Sequence, residues 1–159
     1  MKLKVGIIGC GSMASFIDDD IPLGSRGGMV KPYALAGGFA KVDDVQMVAT
    51  CNHTEPKVRA FQEKWDVSRG YLDYRDLIDT EKPDILGVAT WPEQRAEIMV
   101  YGAEHGVKGM YAEKPLCLFA RRGRRHQGRL RTQRCVPGVR TDAAQLDRVP
   151  PGPPDRGQR

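Results

Sequence analysis

Two groups of residues in this chain have types and spacing suited to chemistry. Gly9-Cys10-Gly11-Ser12-Met13-Ala14 follows the apolar run Leu3, Val5, Ile7 and Ile8 and fits the pattern G-x-G-x-x-A. In that pattern Gly9 permits a tight turn, Gly11 lets backbone approach a diphosphate, and Ala14 allows a helix to pack closely on the strand. N–H groups near Ser12 and Met13 would then face phosphate oxygens, assisted by the helix dipole. An ordinary strand-to-helix turn uses the same glycines, so the motif gains weight from its place at the first strand of a βαβ chain. The second group, Glu113-Lys114-Pro115, puts a carboxylate, an ammonium and a backbone-restricting proline after a later apolar strand. Such a pair suits binding a ribose hydroxyl and facing a reacting C–O bond; a surface ion pair is the plainer alternative.

Two further positions bear on the same site. A dinucleotide-binding strand two usually ends in an acidic residue for the adenosine ribose. Here Asn52 and His53 stand there, 41 residues after Gly11 (52 − 11), with residues 18–28 as the insertion that lengthens the spacing. Asn52 can hydrogen-bond a ribose and carries no charge to repel a 2′-phosphate. The cofactor is therefore NAD or NADP, with His53 as a feature that would favour NADP. Asn52-His53-Thr54 also reads as a turn and helix cap. Thr90-Trp91-Pro92 ends another apolar strand; Trp91 suits either lying over part of the cofactor or covering the sheet edge.

The elements that must position these residues follow from periodicity. Apolar runs predict strands at residues 3–8, 45–51, near 71–72, at 84–90 and at 107–112. Helices are predicted from about Ser12, over residues 33–39, after Thr54 as cap, over 74–78, and over 93–105 with Gly106 just past its end. Asp18-Asp19-Asp20 and the Pro- and Gly-containing stretch behind it read as a polar loop. Val58, Phe61 and Trp65 share one helix face, as do Ala96, Met99, Val100 and Ala103. Alternation of this kind gives an α/β, doubly wound parallel sheet of the Rossmann type, with its ligand at the carboxyl ends of the strands. Gly9, Asn52, Thr90 and Glu113 all fall at such ends.

Charge divides the chain unevenly. Residues 1–118 carry a net −3 and residues 119–159 a net +8, which sum to the overall +5. A basic chain ordinarily suggests a polyanionic partner, but that argument reaches only the second part. Cys10, Cys51, Cys117 and Cys135 are scattered, with no C-x-x-C pair and no disulfide framework. His53, His105 and His126 form no constellation, so no metal is expected. No apolar window reaches the roughly 18 residues of a membrane span, and Met1 leads directly into a strand pattern. A cytoplasmic location is expected.

On Val5-Gly6-Ile7-Ile8-Gly9-Cys10-Gly11, Tyr74-Arg75-Asp76-Leu77-Ile78, Pro83-Asp84, Val88-Ala89-Thr90 and Ala112-Glu113-Lys114-Pro115-Leu116, residues 1–118 resemble the Gfo/Idh/MocA oxidoreductases. The resemblance implies NAD(P) held by Gly9, Gly11 and the end of strand two. It implies Lys114 beside nicotinamide and substrate, assisting hydride transfer at a CH–OH group of a sugar or small polyol such as a cyclitol. Three departures stand out. Asn52 replaces a common Asp, and Arg95 replaces a frequent His after strand four. Nothing matches the family's C-terminal domain, with its substrate site and Asp-x-x-x-His.

From Phe119 onward apolar periodicity stops. Residues 119–159 hold 11 Arg, no Lys, 3 Asp and no Glu. An irregular, disordered Arg/Gly/Pro-rich tail is expected, read here as an out-of-frame product in place of the substrate domain. Such a chain would bind cofactor with little turnover, and its assembly stays open because the usual interface domain is missing. Two other functions compete: nucleic-acid binding through the Arg-rich tail, which lacks stacking aromatics beyond Phe119, and a non-catalytic nucleotide-binding interaction module.

Overall fold

A computed structural model describes residues 1–21, 31–116 and the backbone of 136–137. The elements are β1 (Leu3–Ile8), a π-helical turn (Ser12–Phe16) running into α1 (Ile17–Asp20), α2 (Leu35–Ala40), β2 (Val45–Cys51), α3 (Glu55–Trp65) and β3 (Arg69–Tyr71). They continue with α4 (Tyr74–Glu81), β4 (Ile85–Val88), α5 (Pro92–Glu104), β5 (Gly109–Ala112) and β6 (Val136–Pro137). All strand pairs are parallel, in the order β3-β2-β1-β4-β5-β6. The order reverses between β1 and β4, which opens a crevice at their carboxyl ends.

Alternation along β1 explains the two-sided packing. Val5 and Ile7 point to one face, where Cys10, Ala14, Ala36 of α2 and Phe61 of α3 bury against them. Ile8 points to the other, joining Leu77 and Ile78 of α4 with Ile98, Met99 and Ala103 of α5. Burial of both sheet faces requires near-continuous apolar strands, and β1 and β4 supply them. The doubly wound architecture expected from the alternating pattern is the one observed.

Several local expectations need correction. Asp18-Asp19-Asp20 is helical, not a loop. Asp18 accepts the N–H groups of Tyr33 (2.8 Å) and Ala34 (3.0 Å), so its carboxylate ties α1 to the start of α2. Thr54 sits at the N-cap of α3, but its side chain makes no capping bond. Its own N–H goes instead to the Asn52 side-chain oxygen at 2.9 Å. The third strand ends at Tyr71, leaving Leu72 exposed, and α4 runs on to Glu81. Ile98 and Arg95 are buried on α5 although neither was placed inward by periodicity.

Within residues 119–159, expected to be an irregular tail, Val136 and Pro137 pair in parallel with Gly109 and Met110 as a short edge strand. The remaining residues of that segment, and the expectation of disorder made for them, lie outside the described residues. No helix among the described residues is long and apolar enough to cross a membrane.

Candidate dinucleotide site

The carboxyl rim of the sheet is laced by one repeated contact. The Asn52 N–H donates to the Tyr71 carbonyl (3.1 Å), Gly9 to Cys51 (2.8 Å), Ala89 to Ile8 (2.8 Å) and Glu113 to Val88 (3.0 Å). Each residue just past a strand is thus anchored to the neighbouring strand's last turn of backbone. Gly9, Asn52, Thr90 and Glu113, placed at strand ends from sequence, come together on this rim.

The two motif glycines have different reasons to be glycine. Gly9 has φ +98°, and a Cβ there would lie 2.7 Å from the Ala89 carbonyl carbon and oxygen. Close passage of β1 over the β4 tip therefore excludes any side chain. Gly11 has an ordinary φ of −83°, and a Cβ there would meet nothing within 4 Å. Protein packing does not demand glycine at 11, whereas a ligand pressed against the backbone would. Among the described residues no acceptor takes the N–H groups of Gly11, Ser12 or Met13, while Ala14 and Ser15 both donate to the Gly11 carbonyl at 3.1 Å. These free amides above an empty approach suit a diphosphate. The helical turn behind them begins in π geometry and is short, so directed N–H groups contribute more here than a long helix dipole.

Beside this turn a cleft of about 220 Å³ is lined by Gly9, Asn52, His53, Asp73, Arg75 and Thr90, among others. Asn52 lines this cleft with its side-chain oxygen engaged by the Thr54 N–H. His53 is exposed at the rim. Trp91 is 77% exposed, so it does not serve to cover the sheet edge; Met13, at 39%, stands exposed as well. Pro92 opens α5 at its first turn, where a missing N–H costs nothing.

At the β5 tip, Lys114 is exposed, and among the described residues its ammonium has no hydrogen-bond or ion-pair partner. The Lys114–Pro115 peptide is cis. The burial and bonding of one residue of this region escaped sequence reasoning. Arg95 is only 6% exposed. Its Nε and Nη2 donate to the Thr90 carbonyl, and its Nη1 donates to those of Glu113 (2.5 Å) and Pro115 (2.6 Å). Desolvation lowers its pKa, opposed by the Glu113 and Glu93 carboxylates.

Under the Gly-rich turn, the Cys10 thiol lies 3.1 Å from the Thr50 hydroxyl. Burial raises it to about 11, against a lowering by Thr50 and Lys57. Burial and neighbouring acidic groups, Cys10, Asp73 and Asp76, push Cys51 up to about 12. Both thiols are packing groups. Among the described residues no cluster of His, Cys, Asp or Glu is arranged to hold a metal.

The family model described as "Oxidoreductase family, NAD-binding Rossmann fold" (GFO_IDH_MocA) matches residues 3–141. The chain belongs to this family. The Gfo/Idh/MocA match runs past residue 118, where the motif resemblance stops. A search of the curated proteins gave no match. Among solved structures, myo-inositol 2-dehydrogenase from Lactobacillus plantarum is 23% identical with a TM-score of 0.65, over 84% of this chain and 34% of that one. Scyllo-inositol dehydrogenase from Lactobacillus casei, solved with bound NAD(H) and scyllo-inositol, is 16% identical with a TM-score of 0.64, over 84% and 34%. The WlbA dehydrogenase from Bordetella pertussis, in complex with NADH and UDP-GlcNAcA, is 19% identical with a TM-score of 0.66, over 84% and 35%. Likeness at these identities establishes the shared fold. The chain spans about a third of the length of these solved structures.

Proposed function

We propose that residues 1–118 are the dinucleotide-binding domain of a Gfo/Idh/MocA oxidoreductase, with Gly9, Gly11, Ser12 and Met13 holding the diphosphate of NAD or NADP. Asn52 and His53 take the adenosine ribose. Thr90, Trp91, Pro92, Glu113 and Lys114 line the nicotinamide end. The observation that carries this reading is the open approach above Gly11, beside N–H groups that no described acceptor uses.

When bound, the nicotinamide supplies a hydride acceptor or donor. Lys114 acts as the catalytic residue: its unpartnered side chain hydrogen-bonds the oxygen on the carbon that gains or loses hydride. A sugar or cyclitol carrying a CH–OH group is the proposed substrate class, in keeping with the inositol and sugar-nucleotide ligands of the structural neighbours. Hydride transfer also needs the substrate carbon held within near-attack distance. We propose that residues 119–159 do not supply that surface and are an out-of-frame replacement, which the encoding DNA tests. The chain alone is then expected to bind cofactor with little turnover.

Titration of the full chain with NADH and NADPH, followed by reduced-nicotinamide fluorescence, tests the binding claim. A saturable change with at least one cofactor is expected; no response to either at millimolar concentration would contradict it. A second reading rests on the +8 charge of residues 119–159. Under that reading RNA binding would be salt-sensitive and lost when those residues are deleted.

A further inference from the structure

We propose that Arg95 is the positioning residue for Lys114, fixing the backbone on both sides of it by joining the β4 and β5 tips. The proposal rests on the assignment of Lys114 to the nicotinamide end.

Among the described residues, the guanidinium makes four hydrogen bonds, all to main-chain carbonyls: two to Thr90, one to Glu113 and one to Pro115. The last two flank Lys114. Glu113 is held at its N–H as well, which donates to the Val88 carbonyl. Backbone before and after Lys114 is therefore tied down, while its side chain is left without a described partner. The lysine is free to act but not free to wander.

Burying a guanidinium is costly unless its donors are satisfied, and an apolar residue would fill the same volume on α5 at less cost. What an apolar side chain cannot do is bridge carbonyls on two strand tips. A planar fork with donors on three nitrogens spans both at once, whereas the compact ammonium of lysine does not. The guanidinium meets no side-chain carboxylate in these contacts, so it is not one half of a buried ion pair. Its entire hydrogen-bonding capacity in use is spent on shaping the rim.

Arg95→Ala and Arg95→Lys in the full chain test this role. Amide hydrogen exchange gives a readout independent of catalysis. In Arg95→Ala, exchange at Glu113 should quicken by about tenfold or more, with Gly9 and Asn52 changing less than about twofold. Arg95→Lys keeps charge and most of the buried stem, and should show the same local pattern to a smaller extent. Should the alanine variant not fold, the lysine variant alone decides. In parallel, NADH affinity should fall about tenfold while affinity for ADP-ribose, which lacks nicotinamide, stays within about twofold. Exchange that rises equally at Gly9 and Asn52, or does not rise at Glu113, overturns the proposal. So does equal loss of both ligands, which a merely structural role would give. If the parent chain binds neither ligand, the cofactor assignment fails, and the exchange pattern still tells whether Arg95 orders the Lys114 backbone.

Discussion

Gly9 and Ala89 approach so closely that a Cβ on Gly9 would lie 2.7 Å from the Ala89 carbonyl, while Gly11, two residues on, faces open space. One glycine of the motif therefore serves the fold, and under the proposed function the other serves the ligand. Gly9→Ala should destabilise the chain by about 2–3 kcal/mol, through contact and positive φ together. Gly11→Ala should change stability by less than about 1 kcal/mol yet weaken NADH binding at least about tenfold. Thermal unfolding and a fluorescence titration on both variants check this. Equal behaviour of the two substitutions would count against the division.

Under the proposed function, Asn52 decides how the adenosine end treats charge. Its oxygen is held by the Thr54 N–H, an acceptor role that aspartate would keep. Asn52→Asp should thus preserve the fold while adding a negative charge beside the cleft. NADPH affinity is expected to drop about tenfold, or roughly 1.4 kcal/mol, with NADH affinity unchanged or improved. Parallel titrations with the two cofactors read the ratio; an unchanged ratio would place the ribose elsewhere.

Asp18 ties α1 to α2 and should leave an acid signature. Desolvation works to raise its pKa, but the N–H groups of Tyr33 and Ala34, with Lys31 and Lys64 nearby, bring it below the ordinary value. A depressed carboxyl stabilises the fold above its unfolded pKa of about 3.9, and the contribution is lost as pH falls through the folded value. Against Asp18→Asn, the parent should be more stable by about 1 kcal/mol at neutral pH, a figure kept small for solvent screening. The gap should close in acid below the unfolded value. Urea unfolding of both chains from neutral pH to about pH 3 measures it, and a gap independent of pH would exclude the carboxylate as its source.

Cys10 and Cys51 should be inert in the native chain. With thiols raised to about 11 and about 12, thiolate is scarce at neutral pH, and only the thiolate alkylates readily. Iodoacetamide at neutral pH, read site by site by mass spectrometry, should modify these two only after denaturation. Rapid native labelling of either would mean that the turn over β1 opens.

Much of this architecture was legible because it is local. β2 shows from residue 45 to 51 as a strand, and the observed limits agree. The rim residues Gly9, Asn52, Thr90 and Glu113 follow from where apolar runs stop. What sequence did not reveal depends on partners far along the chain. Three aspartates in a row read as loop, yet Asp18 is held by backbone 15 and 16 residues later. An arginine near the start of α5 reads as a replacement for a frequent histidine; two of the carbonyls that satisfy Arg95 come 18 and 20 residues later. Thr54 carried the right type for a cap, but the Lys57 N–H that its hydroxyl would take donates to its main-chain carbonyl at 3.0 Å instead. For Arg95 the available signal was the charge itself, standing on a helix whose neighbours pack against the sheet.

The central claim is that main-chain amides of the first turn receive the cofactor's diphosphate. Titrating NADH into the 15N-labelled full chain and following each amide resonance tests it most directly. Saturable shifts are expected, largest at Gly11, Ser12 and Met13, with smaller ones at Asn52 and Glu113. Shifts confined to other parts of the chain, or none at these three amides while NADH binds, would contradict it.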